Sequence, residues 1–156
     1  MKKIAVSENI EDFLNSDYIY VDKTEYIYNL TTNYKRVFFS RPRRFGKSLT
    51  LNTIGTLFSK GVDLYFKDTF IYDKWTEQTY PVLHLSFLKY SVTEPAAFKH
   101  SFCQDLREFA SKLSLSGYTD SDSPIDLLRS IFRAMPEGQQ IVLLIDEYDC
   151  QLTANI

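Results

Sequence analysis

Cysteine is scarce in this chain. Cys103 and Cys150 are the only two, and they stand far apart. That separation fits neither a zinc-ligand pair nor a Cys-x-x-Cys redox motif, so both are read as reduced packing residues of a cytoplasmic protein. Histidine is equally sparse. His84 and His100 have no matching partner in the sequence, no Ser-His-Asp or Cys-His arrangement can be assembled, and both are expected to be structural or surface residues. Long apolar runs are missing too, and none approaches the ~20 residues that cross a bilayer. Met1-Lys2-Lys3 is basic, but Glu8, Glu11 and Asp12 soon interrupt the segment, so no secretory leader is expected. The net charge of −2 removes any general attraction to nucleic acid or to acidic membranes. Internal repeats are absent, and the one biased stretch, Ser114 to Ser123, is Ser/Asp/Thr/Gly-rich and reads as an exposed loop.

What is present fits a globular α/β protein. The 156 residues suit one domain, and an apolar content of 44% can fill a core. Aromatics are heavy, with 12 Phe and 11 Tyr. The charge is unevenly placed. Lys35, Arg36, Arg41, Arg43, Arg44 and Lys47 fall within one stretch that holds no acid, which points to an anionic ligand there.

The pattern along the chain alternates between strands and helices. Tyr18-Ile19-Tyr20-Val21 reads as a short strand, followed by Asp22 as N-cap and Glu25 at the third helical position of a short helix. A strand is expected at about 36–40. A helix at about 47–60 follows, with Leu51, Ile54, Leu57 and Phe58 on one face and Gly61 just past its end. Residues 62–78 are ambiguous. Pro81 to Phe87 reads as a second strand. Thr93 can cap a helix over about 94–114, whose Phe98, Phe102, Leu106, Phe109 and Leu113 recur at helical spacing. Ser123-Pro124 opens another helix over about 124–134, with Leu127, Leu128, Ile131 and Phe132 apolar. Ile141 to Ile145 reads as a buried strand with Asp146-Glu147 at its carboxyl end. The order implies an α-β-α sandwich on a parallel sheet, in which ligands sit outside the carboxyl ends of the strands.

Two motifs carry the chemistry. After the apolar run Val37-Phe38-Phe39, the loop Ser40-Arg41-Pro42-Arg43-Arg44-Phe45-Gly46-Lys47-Ser48-Leu49 has the form of a phosphate-binding loop that opens a helix. Gly46 lets the backbone approach a phosphate, Lys47 reaches the β/γ-phosphates, and the Ser48 hydroxyl can bind Mg²⁺. Arg41 stands where the usual pattern has its first glycine, and Pro42 brings no N–H. The second motif is five apolar residues followed by Asp146-Glu147, a Walker B pattern. Asp146 would hold Mg²⁺ and Glu147 would act as general base. Contact with phosphate, contact with nucleic acid and pairing with acids remain equal readings of Arg41, Arg43 and Arg44.

These residues resemble a known family. Tyr20-Val21-Asp22-Lys23-Thr24, the loop from Phe39 to Leu49, Trp75 with Tyr80-Pro81-Val82, and Leu144 to Asp149 are together similar to the AAA-ATPase-like domain of bacterial P-loop ATPases. The resemblance implies a P-loop domain over 1–156, with a lead-in over 1–33 and a nucleotide-binding core over 34–156. It also implies ATP and Mg²⁺ as cofactors. The nucleotide would be held by Arg43, Arg44, Phe45, Gly46, Lys47, Ser48 and Leu49, the metal by Ser48 and Asp146, and Lys47 and Glu147 would serve in catalysis. Members commonly continue past Walker B with a sensor strand and a nuclease-like C-terminal domain. The chain is therefore expected to be a truncated N-terminal portion with an incomplete sheet and a tendency to self-associate. Nucleic-acid contact is expected only through that further domain, and no membrane contact is expected. Two rivals stand beside the ATPase reading: a non-catalytic nucleotide-binding or interaction fragment, and a nucleic-acid-binding module using the arginine loop.

Overall fold

Ser123 shows how directly local chemistry sets this fold. Its hydroxyl accepts a hydrogen bond from the Asp126 N–H at 3.5 Å, and Pro124 occupies the first helical position, where a missing N–H costs nothing. The computed structural model describes residues 4, 7–14, 18–40, 42, 45–90 and 94–150. In chain order it contains α1 (Ile10–Leu14), α2 (Thr24–Asn33), α3 (Lys47–Lys60), β1 (Val82–Ser86), α4 (Pro95–Lys112), α5 (Pro124–Ala134) and β2 (Val142–Asp146), with one 3₁₀ turn at Phe87–Lys89. The chain divides into two compact units, Met1–Val82 and Leu83–Ile156.

The first unit is helical. Gly61 ends α3 at φ 72°, a left-handed conformation that only glycine adopts freely, and its N–H closes on the Leu57 carbonyl at 2.9 Å. Helix α1 docks on α3 through the Ile10 N–H to Asn52 Oδ1 (2.8 Å) and through Lys60 to Glu11. Ile10, Ile27, Leu57, Phe66 and Ile71 form the core. The stretch after α3 is a chain of turns rather than a helix, and it delivers Phe66 and Ile71, both fully buried, to that core.

Three local expectations change here. Asp22 is not the N-cap of α2. Lys23 holds that position without a side-chain cap, while Asp22 lies one residue outside the helix. Its Oδ1 accepts from the Thr24 N–H (2.8 Å) and its Oδ2 from the Phe70 N–H (2.7 Å), so the carboxylate ties the start of α2 to the turn segment. Thr24 Oγ1 adds a bond from the Ile71 N–H at 3.2 Å. No strand forms over 18–21, where Tyr18 makes only an isolated bridge. Residues 37–40 form no strand, and Val37 and Phe38 are exposed. A short apolar run is compatible with a strand but cannot specify its ladder partner.

The second unit holds a two-stranded parallel sheet, β1 beside β2, with the connection running through α4 and α5. Parallel strands require such a crossover. Leu83 and Leu85 of β1 pack with Cys103, Leu106, Phe109 and Ala110 of α4 and with Leu127 and Ile131 of α5. The fold is therefore α/β, as expected. Strand β2 is less buried than expected. Leu144 and Asp146 are buried, while Leu143 and Ile145 point to the other face and are about half exposed. Thr93, the expected cap of α4, lies outside the described residues; α4 starts at Pro95, with Glu94 at the N-cap position. No described helix is long and apolar enough to cross a membrane.

Candidate functional site

In the first unit, Gly46 is the N-cap of α3 with φ 75° and ψ 30°. No Cβ would meet any atom within 4 Å at this position, so glycine is required by its backbone angle rather than by crowding. The Gly46 carbonyl accepts from the Thr50 N–H at 3.0 Å and from Thr50 Oγ1 at 2.8 Å, which locks the first turn. Among the described residues no side chain caps this helix, and no acidic residue occupies its first turn. Its leading N–H groups carry the positive end of the helix dipole. Lys47, Ser48 and Leu49 all lie in this first turn and are half-buried, and Phe45 before them is exposed. Arg43 and Arg44, expected to touch the nucleotide, and Arg41 lie outside the described residues.

In the second unit, Asp146 ends β2 and is 8% exposed. Its Oδ1 accepts from the Glu147 N–H at 2.9 Å. That bond accompanies a backbone reversal. Glu147 has φ 49°, an uncommon left-handed conformation for a residue with a Cβ, and its carbonyl accepts from the Cys150 N–H at 3.1 Å. The chain thus leaves the sheet in a tight turn directly after the buried carboxylate. Strained backbone of this kind is concentrated at functional sites. Among the described residues no group of three or more His, Cys, Asp or Glu could hold a metal ion. Any cation at Asp146 would need other oxygen donors, such as hydroxyls, phosphates and waters.

The fold brings Gly46, Lys47, Ser48 and Leu49 together at one helix start, and Asp146 and Glu147 together at one strand end. Sequence reasoning set His84 aside, yet β1 pairs with β2 and places it where the Asp146 carboxylate acts on it. Although His84 remains exposed as a residue, partial desolvation of its ring is the leading influence and lowers its pKa; Asp146 opposes this and Lys89 reinforces it. No spacing in the sequence announces that neighbour, because it depends on strand register. His100 lies exposed on α4.

Comparison with known proteins places this geometry in context. A family described as predicted AAA-ATPase matches residues 4–156. A relative from Azotobacter chroococcum mcd 1, described as an uncharacterized protein in the vnfD 5′ region, is 32% identical over 143 residues. The match takes in 90% of this chain and 27% of that protein, so the chain spans about a quarter of the relative's length. No solved structure matches.

Proposed function

Because this chain belongs to the predicted AAA-ATPase family, we propose that it is the ATP-binding domain of a P-loop ATPase, built for Mg²⁺-dependent binding and hydrolysis of the β–γ phosphoanhydride. The observation that carries this reading is the start of α3: a left-handed glycine at the N-cap, with Lys47 and Ser48 in the first turn and no acid among them. A triphosphate brings several negative charges. The N–H groups and dipole of α3 and the Lys47 ammonium are the kinds of group that neutralise them. Gly46 allows the backbone to face the phosphates without a side chain between.

Mg²⁺ is a hard cation that takes oxygen ligands, and when bound it offsets phosphate charge. The donor types here fit it. Ser48 offers a hydroxyl. Asp146 offers a carboxylate of which Oδ1 is engaged by the Glu147 N–H, leaving Oδ2 for a further partner. Glu147 is the candidate base that takes a proton from the attacking water. Phe45 and Leu49 flank the phosphate-binding turn, and Arg43 and Arg44 would add charge on its approach.

A nucleotide titration tests the reading. Lys47→Ala is expected to abolish binding of Mg-ATP, and unchanged affinity would overturn the assignment. Glu147→Gln is expected to bind normally and to lose hydrolysis by about 100-fold or more, the scale of one general base. Equal turnover in wild type and Glu147→Gln, with binding intact, would leave a nucleotide-binding module without hydrolytic activity.

A further inference from the structure

Trp75 is the only tryptophan in the chain, and its indole N–H is buried without a hydrogen-bond partner among the described residues. A buried donor in that condition is costly, so its surroundings call for an acceptor. The ring is held from one side by Phe58, edge to face at 5.0 Å between centroids. Its backbone N–H is satisfied by the Ile71 carbonyl at 3.0 Å. Trp75 also lines a cavity of about 50 Å³ together with Tyr28, Thr31, Thr32, Thr76 and Glu77.

The lining determines what can occupy this cavity. An apolar guest would leave the indole donor unpaired. An anion would accept from it but would face the Glu77 carboxylate. The remaining groups have acceptor capacity. Thr31 Oγ1 donates its proton to the Ile27 carbonyl at 2.8 Å, which leaves its lone pairs available. Glu77 accepts from the Tyr80 hydroxyl at 3.2 Å and has further lone pairs. An occupant must therefore accept one hydrogen bond and donate others, and it must be small. Water does both, and the volume of about 50 Å³ exceeds the ~10–15 Å³ that one water needs.

We propose that this cavity is a structural water site, in which an ordered water accepts from Trp75 Nε1–H and donates to Thr31 Oγ1 and Glu77. Such a water fastens the turn segment after α3 to the last turns of α2, whereas Asp22 ties it to the start of that helix. The single indole makes the test direct. In the ¹⁵N-labelled full chain there is one indole cross-peak. It is expected to show slowed hydrogen exchange and a nuclear Overhauser effect to water of the sign given by a rigid, long-lived contact. Replacing both acceptors, Thr31→Val with Glu77→Ala, is expected to weaken that effect and to speed indole exchange roughly tenfold, the scale of one lost hydrogen bond. An indole proton in the wild-type chain that is protected yet silent towards water would mean a dry cavity and overturn the proposal. Exchange at the rate of a free indole would overturn it equally, and both readings need only the wild-type protein.

Discussion

Gly46 and Glu147 both place the backbone in the left-handed region, at φ 75° and φ 49°, and the consequences of substituting them are opposite. At Gly46 an added Cβ meets nothing, so Gly46→Ala is charged only the conformational penalty of about 1–2 kcal/mol. Urea denaturation should show that loss, and nucleotide titration should show weaker binding as the first turn of α3 relaxes. At Glu147 the native side chain already bears the penalty. Glu147→Gly is expected to be at least as stable as wild type in thermal denaturation while losing hydrolysis, the pattern of a residue kept for chemistry. The two positions were not equally legible. Gly-Lys-Ser at a helix start states its own geometry, because glycine is the residue that tolerates the angle. The sign of φ at Glu147 depends on the turn that follows β2, which leaves no mark in residue type. Asp22 was misplaced by one residue for a related reason: an Asp before a helix satisfies a local N–H in either register, and only the distant Phe70 N–H decides between them.

At the scale of elements, helix ends were well marked and strand surroundings were not. Gly61, Ser123 and Pro124 fix the limits of α3 and α5 through backbone chemistry that acts within a few residues. The exposed face of β2 was hidden because Leu143 and Ile145 are as apolar as the buried Leu144, so the run reads as buried on both sides. The loop before α5 carries its own electrostatic fastening. Arg107 Nε donates to Asp120 Oδ1 at 2.7 Å, and its Nη2 donates to Asp122 Oδ1 at 3.0 Å and to the Ser121 carbonyl at 3.2 Å. The hydrogen bond from Arg107 lowers the Asp120 pKa below its ordinary 3.8. A carboxylate with a depressed folded-state pKa stabilises fully above its unfolded value, and that contribution disappears as pH falls through the folded value. Denaturation midpoints of wild type and Asp120→Asn should therefore differ at neutral pH and converge below pH ~4. The difference will be small, because the pair is solvent-exposed and screened by salt.

At the scale of the molecule, each unit has a core of its own. Leu57 is fully buried in one cluster and Leu127 in the other. Each Leu→Ala change should cost about 2–5 kcal/mol through lost contacts and a residual cavity. The clusters share no residue, so the double variant should equal the sum of the two within about 0.5 kcal/mol. A larger discrepancy in urea denaturation would mean that the two clusters are energetically coupled.

The crossover between β1 and β2 has a consequence for the order of folding. Both α4 and α5 lie within it, so the sheet closes only when the ends of a long stretch of chain meet. Helices form from contacts a few residues apart, whereas this pairing must first overcome the entropy of closing that loop. The helical pair is thus expected to take shape early and the strand ladder late. Asp146 and Glu147 stand at the very end of the late-forming strand. Their carboxylates acquire a fixed geometry only as folding finishes, so a partly folded chain would carry the helices of this protein without its candidate metal ligand and general base.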